Sequence, residues 1–183
     1  MIALIIVGVI VLILIIFVVV TYNSLVNLRN KVKDQWASID VLLKRRADLI
    51  PNLVETVKGY AAHEKETLDE VIEARNQSVI ANTPEAEMKA SGELTQALSK
   101  LFALSEAYPD LKANTNFMQL QTDLTDTEDK IAHARQFYND AVLLYKNKLE
   151  MFPSNIIGSM FGFKQEAFFE ADESSKETPK VQF

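Results

Sequence analysis

The sequence predicts an all-α protein: an N-terminal transmembrane helix followed by an antiparallel up-down four-helix bundle of long helices. Three observations carry that reading. Residues 2–20 contain no charge, no proline and no strongly polar side chain, and a helix needs about 20 apolar residues, at about 1.5 Å each, to cross a hydrocarbon core. Beyond that run, apolar residues recur by threes and fours over long stretches, the spacing of a helix buried along one face. Only 5 Gly and 5 Pro occur in 183 residues, too few turn formers for a β-rich fold.

The first element, residues 1–21, reads as a retained anchor. A signal peptide would show a basic start, a short apolar core and a small-residue cleavage site. Here the basic start is missing, the run is long, and the exit Val20-Thr21-Tyr22-Asn23-Ser24 offers no such site. Basic residues follow the span at Arg29, Lys31 and Lys33. They predict headgroup contacts and, because cytoplasmic flanks are enriched in Lys and Arg, a body in the cytoplasm with the amino terminus outside.

Residues 22–151 read as the bundle. The first helix continues out of the span with Leu25, Leu28, Val32, Ile39, Leu42 and Leu49 as its stripe and Trp36 as a core anchor. Pro51 is expected to end it, because proline removes a helical donor and disfavours α geometry in the preceding residue. A chain reversal there lets the fourth helix return to the bilayer. The second helix, about 51–81, buries Leu53, Val57, Leu68 and Val71 and exposes a charge run around Glu64 to Glu73. Thr83-Pro84-Glu85 is a helix start: a capping hydroxyl, a proline suited to the first position, and an acid near the positive helix end. The third helix runs to about Ala107, where Tyr108-Pro109-Asp110 breaks it. The longest helix, about 115–151, carries Phe117, Leu120, Leu124, Ile131, Tyr138, Val142 and Tyr145 on one face.

Residues 152–169 begin with an uncharged apolar stretch, 152–163, too short to span a bilayer. Ile156, Ile157, Phe161 and Phe163 are its candidate contacts. The stretch caps the bundle core, or it touches membrane or a second copy. Residues 170–183 read as a disordered acidic tail.

Composition excludes several classes. The formal net charge is -6, so the basic footprint of a nucleic-acid binder is missing. With no Cys, thiolate catalysis and Cys-ligated metals are impossible. His63 and His133 lack the Glu three residues earlier that a di-iron bundle uses, since Tyr60 and Lys130 stand there. No cofactor and no enzyme motif is expected. The cluster Lys44-Arg45-Arg46 lies about 35–40 Å beyond Tyr22 along a continuous helix, too far to touch its own membrane. It reads as a solvated helix end or as a partner contact.

The chain resembles the LemA family. The resemblance rests on Tyr22-Asn23-Ser24-Leu25, on Lys44-Arg45-Arg46-Ala47-Asp48-Leu49-Ile50-Pro51-Asn52-Leu53-Val54, and on Ala61-Ala62-His63-Glu64-Lys65-Glu66. It continues in Tyr108-Pro109-Asp110-Leu111-Lys112-Ala113-Asn114, Ala134-Arg135-Gln136-Phe137-Tyr138-Asn139 and Phe152-Pro153-Ser154-Asn155. It implies a bacterial inner-membrane protein with one amino-terminal span, a four-helix bundle and no established enzymatic activity. It also implies kinship with proteins of membrane remodelling around magnetosomes and with ones encoded beside HtpX-like membrane proteases. The function expected is a membrane-anchored, non-enzymatic scaffold that forms a homo-oligomer and contacts membrane lipid. The alternative is an accessory subunit or adaptor of a membrane protease or sensor.

Overall fold

The computed structural model describes residues 1–81 and 83–169. The acidic tail 170–183 lies outside the described residues. Among these the fold is all helical: α1 (Ile2–Lys58), α2 (Lys65–Ile80), α3 (Pro84–Ser105), α4 (Pro109–Lys112), α5 (Thr115–Glu150) and α6 (Ser154–Met160).

The reversal expected at Pro51 does not occur. Proline there cannot donate to the carbonyl of Ala47, four residues back. In the structure the Arg75 Nε of α2 donates to that carbonyl at 3.3 Å, which satisfies the orphaned acceptor from outside the helix. α1 therefore passes through Pro51 and ends at Lys58, before Gly59, a poor helix former. The second helix starts correspondingly later, at Lys65.

The chain divides into two compact units, and α1 and α5 each contribute to both. One unit comprises 38–135 with Phe169, the other 1–37 and 136–168.

The unit built on 38–135 has a continuous apolar core. Ile50, Leu53, Val54 and Val57 of α1 meet Leu68 and Val71 of α2, Leu94, Leu98 and Leu101 of α3, Leu111 of α4, and Phe117 and Leu124 of α5. Each fully buried Leu, Ile or Phe contributes roughly 1.5–3 kcal/mol. Local sequence sets the connections. Thr83 Oγ1 accepts from the Ala86 N–H at 3.2 Å, with Pro84 at the first helical position. Asn114 Oδ1 accepts from the Phe117 N–H at 3.0 Å, and Asn114 Nδ2 donates to the Tyr60 hydroxyl at 2.9 Å. Tyr108 donates to Glu64 at 2.8 Å, a bond that holds the phenol proton and raises the pKa of Tyr108.

The other unit begins with the apolar run. Residues 1–17 are exposed throughout, so α1 opens with a stretch apolar enough to cross a membrane and buries none of it against protein. Burial starts at Thr21 and Leu25 and continues at Val32. Tyr138, Ala141, Val142 and Tyr145 of α5 are buried in the same unit, and the Tyr138 ring meets Trp36 edge-on with centroids 5.4 Å apart.

Candidate functional site

The apolar stretch after α5 folds onto α1 just beyond its apolar run. Ser154 Oγ donates to the carbonyls of Lys148 and Met151, at 2.6 and 2.9 Å, and so pins α6 to the end of α5. Ile157, Gly158 and Ser154 form the inward side of α6. A Cβ at Gly158 would stand 2.9 Å from Leu149 Cδ2 and 3.9 Å from Leu25 Cδ1, so glycine permits the close approach. At the other end Gly162 has φ +70°, a left-handed conformation that glycine adopts without a Cβ penalty. The Phe163 N–H then donates to the Gly158 carbonyl at 2.9 Å and the Gly162 N–H to the Ser159 carbonyl at 3.2 Å. This is the paired closure of a left-handed helix terminus.

That turn delivers two rings to Tyr22, the second residue after the apolar run. Phe161 and Phe163 meet it edge-on, with centroids at 4.9 and 5.6 Å. The Arg29 guanidinium lies 5.1 Å from the Phe163 centroid, a cation–π position. Arg29 is thus half-buried, whereas Lys31 and Lys33 are exposed. Of the candidate contacts, Ile157 is buried and Phe163 half-buried, while Ile156 and Phe161 remain open. Tyr145 is buried nearby. Desolvation raises its pKa, Arg29 opposes the shift and Glu166 adds to it, and its hydroxyl has no hydrogen-bond partner among the described residues.

The basic cluster splits. Lys44 and Arg45 are exposed, but Arg46 has no exposed surface at all. Its Nη1 donates to Glu128 at 2.7 Å and to Thr95 Oγ1 at 3.0 Å, and its Nη2 donates to Ser91 Oγ at 2.7 Å. Glu128 is the counter-charge, with 29 % of its side chain exposed. Arg46 is therefore neither a solvated helix end nor a surface contact. Helix geometry is the reason: Leu25, Val32, Ile39, Arg46 and Leu53 are all buried at intervals of seven, and Arg46 occupies a core position. That regular spacing was the sequence signal for its burial.

A cleft of about 300 Å³ opens beside this region, lined by Asp40, Lys44, Ala47, Asp48, Arg75 and Glu87 among others. Glu87 is partly buried there. Desolvation, and then the charge of Asp40, raise its pKa. His63 and His133 are both exposed, and among the described residues no group of three His, Cys, Asp or Glu side chains is placed to hold a metal ion.

The profile of the LemA family matches residues 35–183. Magnetosome protein MamQ 1 of Paramagnetospirillum magneticum is 26 % identical over 186 residues, covering 87 % of this chain and 68 % of the relative. Magnetosome protein MamQ of Magnetospirillum gryphiswaldense is 25 % identical over the same shares. Protein LemA of Metamycoplasma hominis is 26 % identical over 155 residues, covering 82 % of this chain and 69 % of the relative.

Proposed function

The chain belongs to the LemA family, and from that premise we propose that it is a membrane-anchored, non-enzymatic scaffold that self-associates at a bacterial inner membrane. The observation that carries the reading is α1 itself. One helix leaves the apolar run and continues, without a break, to supply core residues Ile50 to Val57. A continuous helix tethers the span directly to the core-forming residues, so clustering spans clusters bodies. The match to magnetosome proteins supports an association with membrane, and a role in organising or remodelling it is part of this proposal.

In this reading the helical segments 22–58, α2, α3 and α5 form the antiparallel four-helix bundle. Lys31 and Lys33 face lipid headgroups with Arg29 behind them, and Lys44 and Arg45 meet a neighbouring copy. The body is cytoplasmic, because the basic flank lies on the carboxyl side of the span. A cysteine at Asn147 resists a membrane-impermeant thiol reagent in intact cells under this orientation. Ready labelling there reverses it.

The scaffold reading is tested by expressing two differently tagged full-length copies together. Capture of one brings down the other, and Lys44→Glu with Arg45→Glu weakens that capture while leaving helical content unchanged. Failure of the copies to co-purify, with one membrane protein such as an HtpX-like protease recovered in stoichiometric amount instead, replaces the scaffold by the adaptor.

A further inference from the structure

We propose that segment 151–163 is an interfacial foot whose outward side chains rest in the lipid headgroup layer of the membrane that α1 crosses. The inference rests on the reading of α1 as a membrane span, and its occupant is lipid rather than a second copy.

Depth comes first. Tyr22 follows the end of the apolar run by two residues, roughly 3 Å along the helix axis. The interfacial layer on each side of a bilayer is about 5–8 Å thick, from the difference between the hydrocarbon and full thickness. The Phe161 centroid is 4.9 Å from that of Tyr22, which keeps the ring within about one layer thickness of the end of the run.

Polarity comes second. No charge occurs from Met151 to Phe163, although Glu150 and Lys164 flank the segment. Phe152 is 80 % exposed and Met160 72 % exposed, and Met151, Ile156 and Phe161 are also open. In water such a cluster on one short segment is a liability. At the level of the headgroups the same side chains gain apolar surroundings, and aromatic rings favour that layer.

Construction comes third. The segment is not a loose loop: Ser154 fastens its start, Gly158 lets it pack closely, and Gly162 turns its end back onto Tyr22. Its inward side chains are already satisfied by protein, so the outward ones are presented rather than left over. Continuity with the apolar run of α1 through Tyr22 selects lipid as the surface they meet.

The chain has no cysteine, so single spin labels report without background. Labels are placed by Phe152→Cys and Met160→Cys in full-length protein reconstituted into phosphatidylethanolamine and phosphatidylglycerol vesicles. Ile10→Cys in the span and Asp129→Cys, an exposed site in the other unit, serve as references. Accessibility to oxygen and to a water-soluble nickel complex is then compared. The foot predicts a several-fold lower nickel accessibility at 152 and 160 than at 129, with oxygen accessibility between those of 129 and 10. Values at 152 and 160 matching 129, while 10 is shielded, overturn the foot and leave the anchor standing. An unshielded label at 10 overturns both. Dipolar broadening at 152 and 160 that disappears on mixing with unlabelled protein assigns the surface to a second copy and overturns lipid as its occupant.

Discussion

The unit built on 38–135 hides a charge, and the unit built on 1–37 and 136–168 shows its apolar side chains. In the first, Arg46 is wholly buried among Glu128, Thr95 and Ser91. In the second, Phe152, Ile156, Met160 and Phe161 stand open while polar Ser154 is buried beneath them. An internal ion pair is tolerated in the first unit because both terminal nitrogens of Arg46 find acceptors and Glu128 supplies the counter-charge, while the Arg46 Nε has no hydrogen-bond partner among the described residues. If the second unit lies beside a bilayer, as proposed above, it has apolar material to meet on its outside, and exposed apolar side chains cost it little.

The buried charge is most sensitive to change at Glu128. Glu128→Gln keeps an acceptor but leaves the Arg46 cation buried without a counter-charge. We expect a loss of about 3 kcal/mol, the low end for breaking a buried pair, measured by chemical denaturation followed by circular dichroism. Adding Arg46→Met recovers much of it, since no charge then remains to be stranded. A loss no greater than that of an exposed surface pair, below about 1 kcal/mol, would show that the pair is effectively solvated.

The foot offers the next largest effect. Gly162→Ala places a Cβ in a left-handed backbone conformation, which costs roughly 1–2 kcal/mol. The loss should appear in the stability of detergent-solubilised full-length protein. No change there would mean that the turn relaxes to another conformation.

Arg75→Ala removes the donor from the Ala47 carbonyl and should cost about 1 kcal/mol. In a Pro51→Ala background the helix supplies its own N–H to that carbonyl, so the penalty of Arg75→Ala should shrink. An undiminished penalty would mean that Arg75 acts through other contacts.

The smallest effect is at Glu87. Its pKa in the folded state is raised by burial and then by Asp40, so the ionised form opposes folding. The opposition is complete above the raised folded-state pKa and disappears as pH falls below the ordinary carboxylate value of about 4.3. Glu87→Gln should therefore stabilise the protein at pH 7 and lose that advantage in acid. A gain that does not depend on pH would trace to packing instead.

How much of this was legible in the residues depends on the distance over which each feature is decided. The apolar run, the Thr83-Pro84 start and the break after Ala107 are local, and each stands where chain chemistry puts it. Pro51 is different, because its local signal is to stop. The carbonyl that Pro51 leaves without a helical donor is met instead by Arg75, which lies 28 residues from Ala47. Arg46 is different again. Beside Lys44 and Arg45 it reads as surface charge, yet it shares the seven-residue line of Leu25, Val32, Ile39 and Leu53. α5 carries the same device, with Phe117, Leu124, Ile131, Tyr138 and Tyr145 all buried at intervals of seven. Periodicity outweighs residue type where a long helix packs along its length, and the acceptors that make Arg46 tolerable come from α3 and α5. The foot was visible as an apolar, uncharged stretch. Its aim at Tyr22 depends on Gly162, whose positive φ is a property of the folded chain.

The scaffold requires self-association at the membrane. Full-length protein extracted directly into polymer-bounded native lipid discs should give particles whose protein mass is a multiple of the 20.6 kDa chain, by single-particle mass measurement at working dilution. A population consisting of single chains, unchanged as expression level and concentration rise, would contradict it.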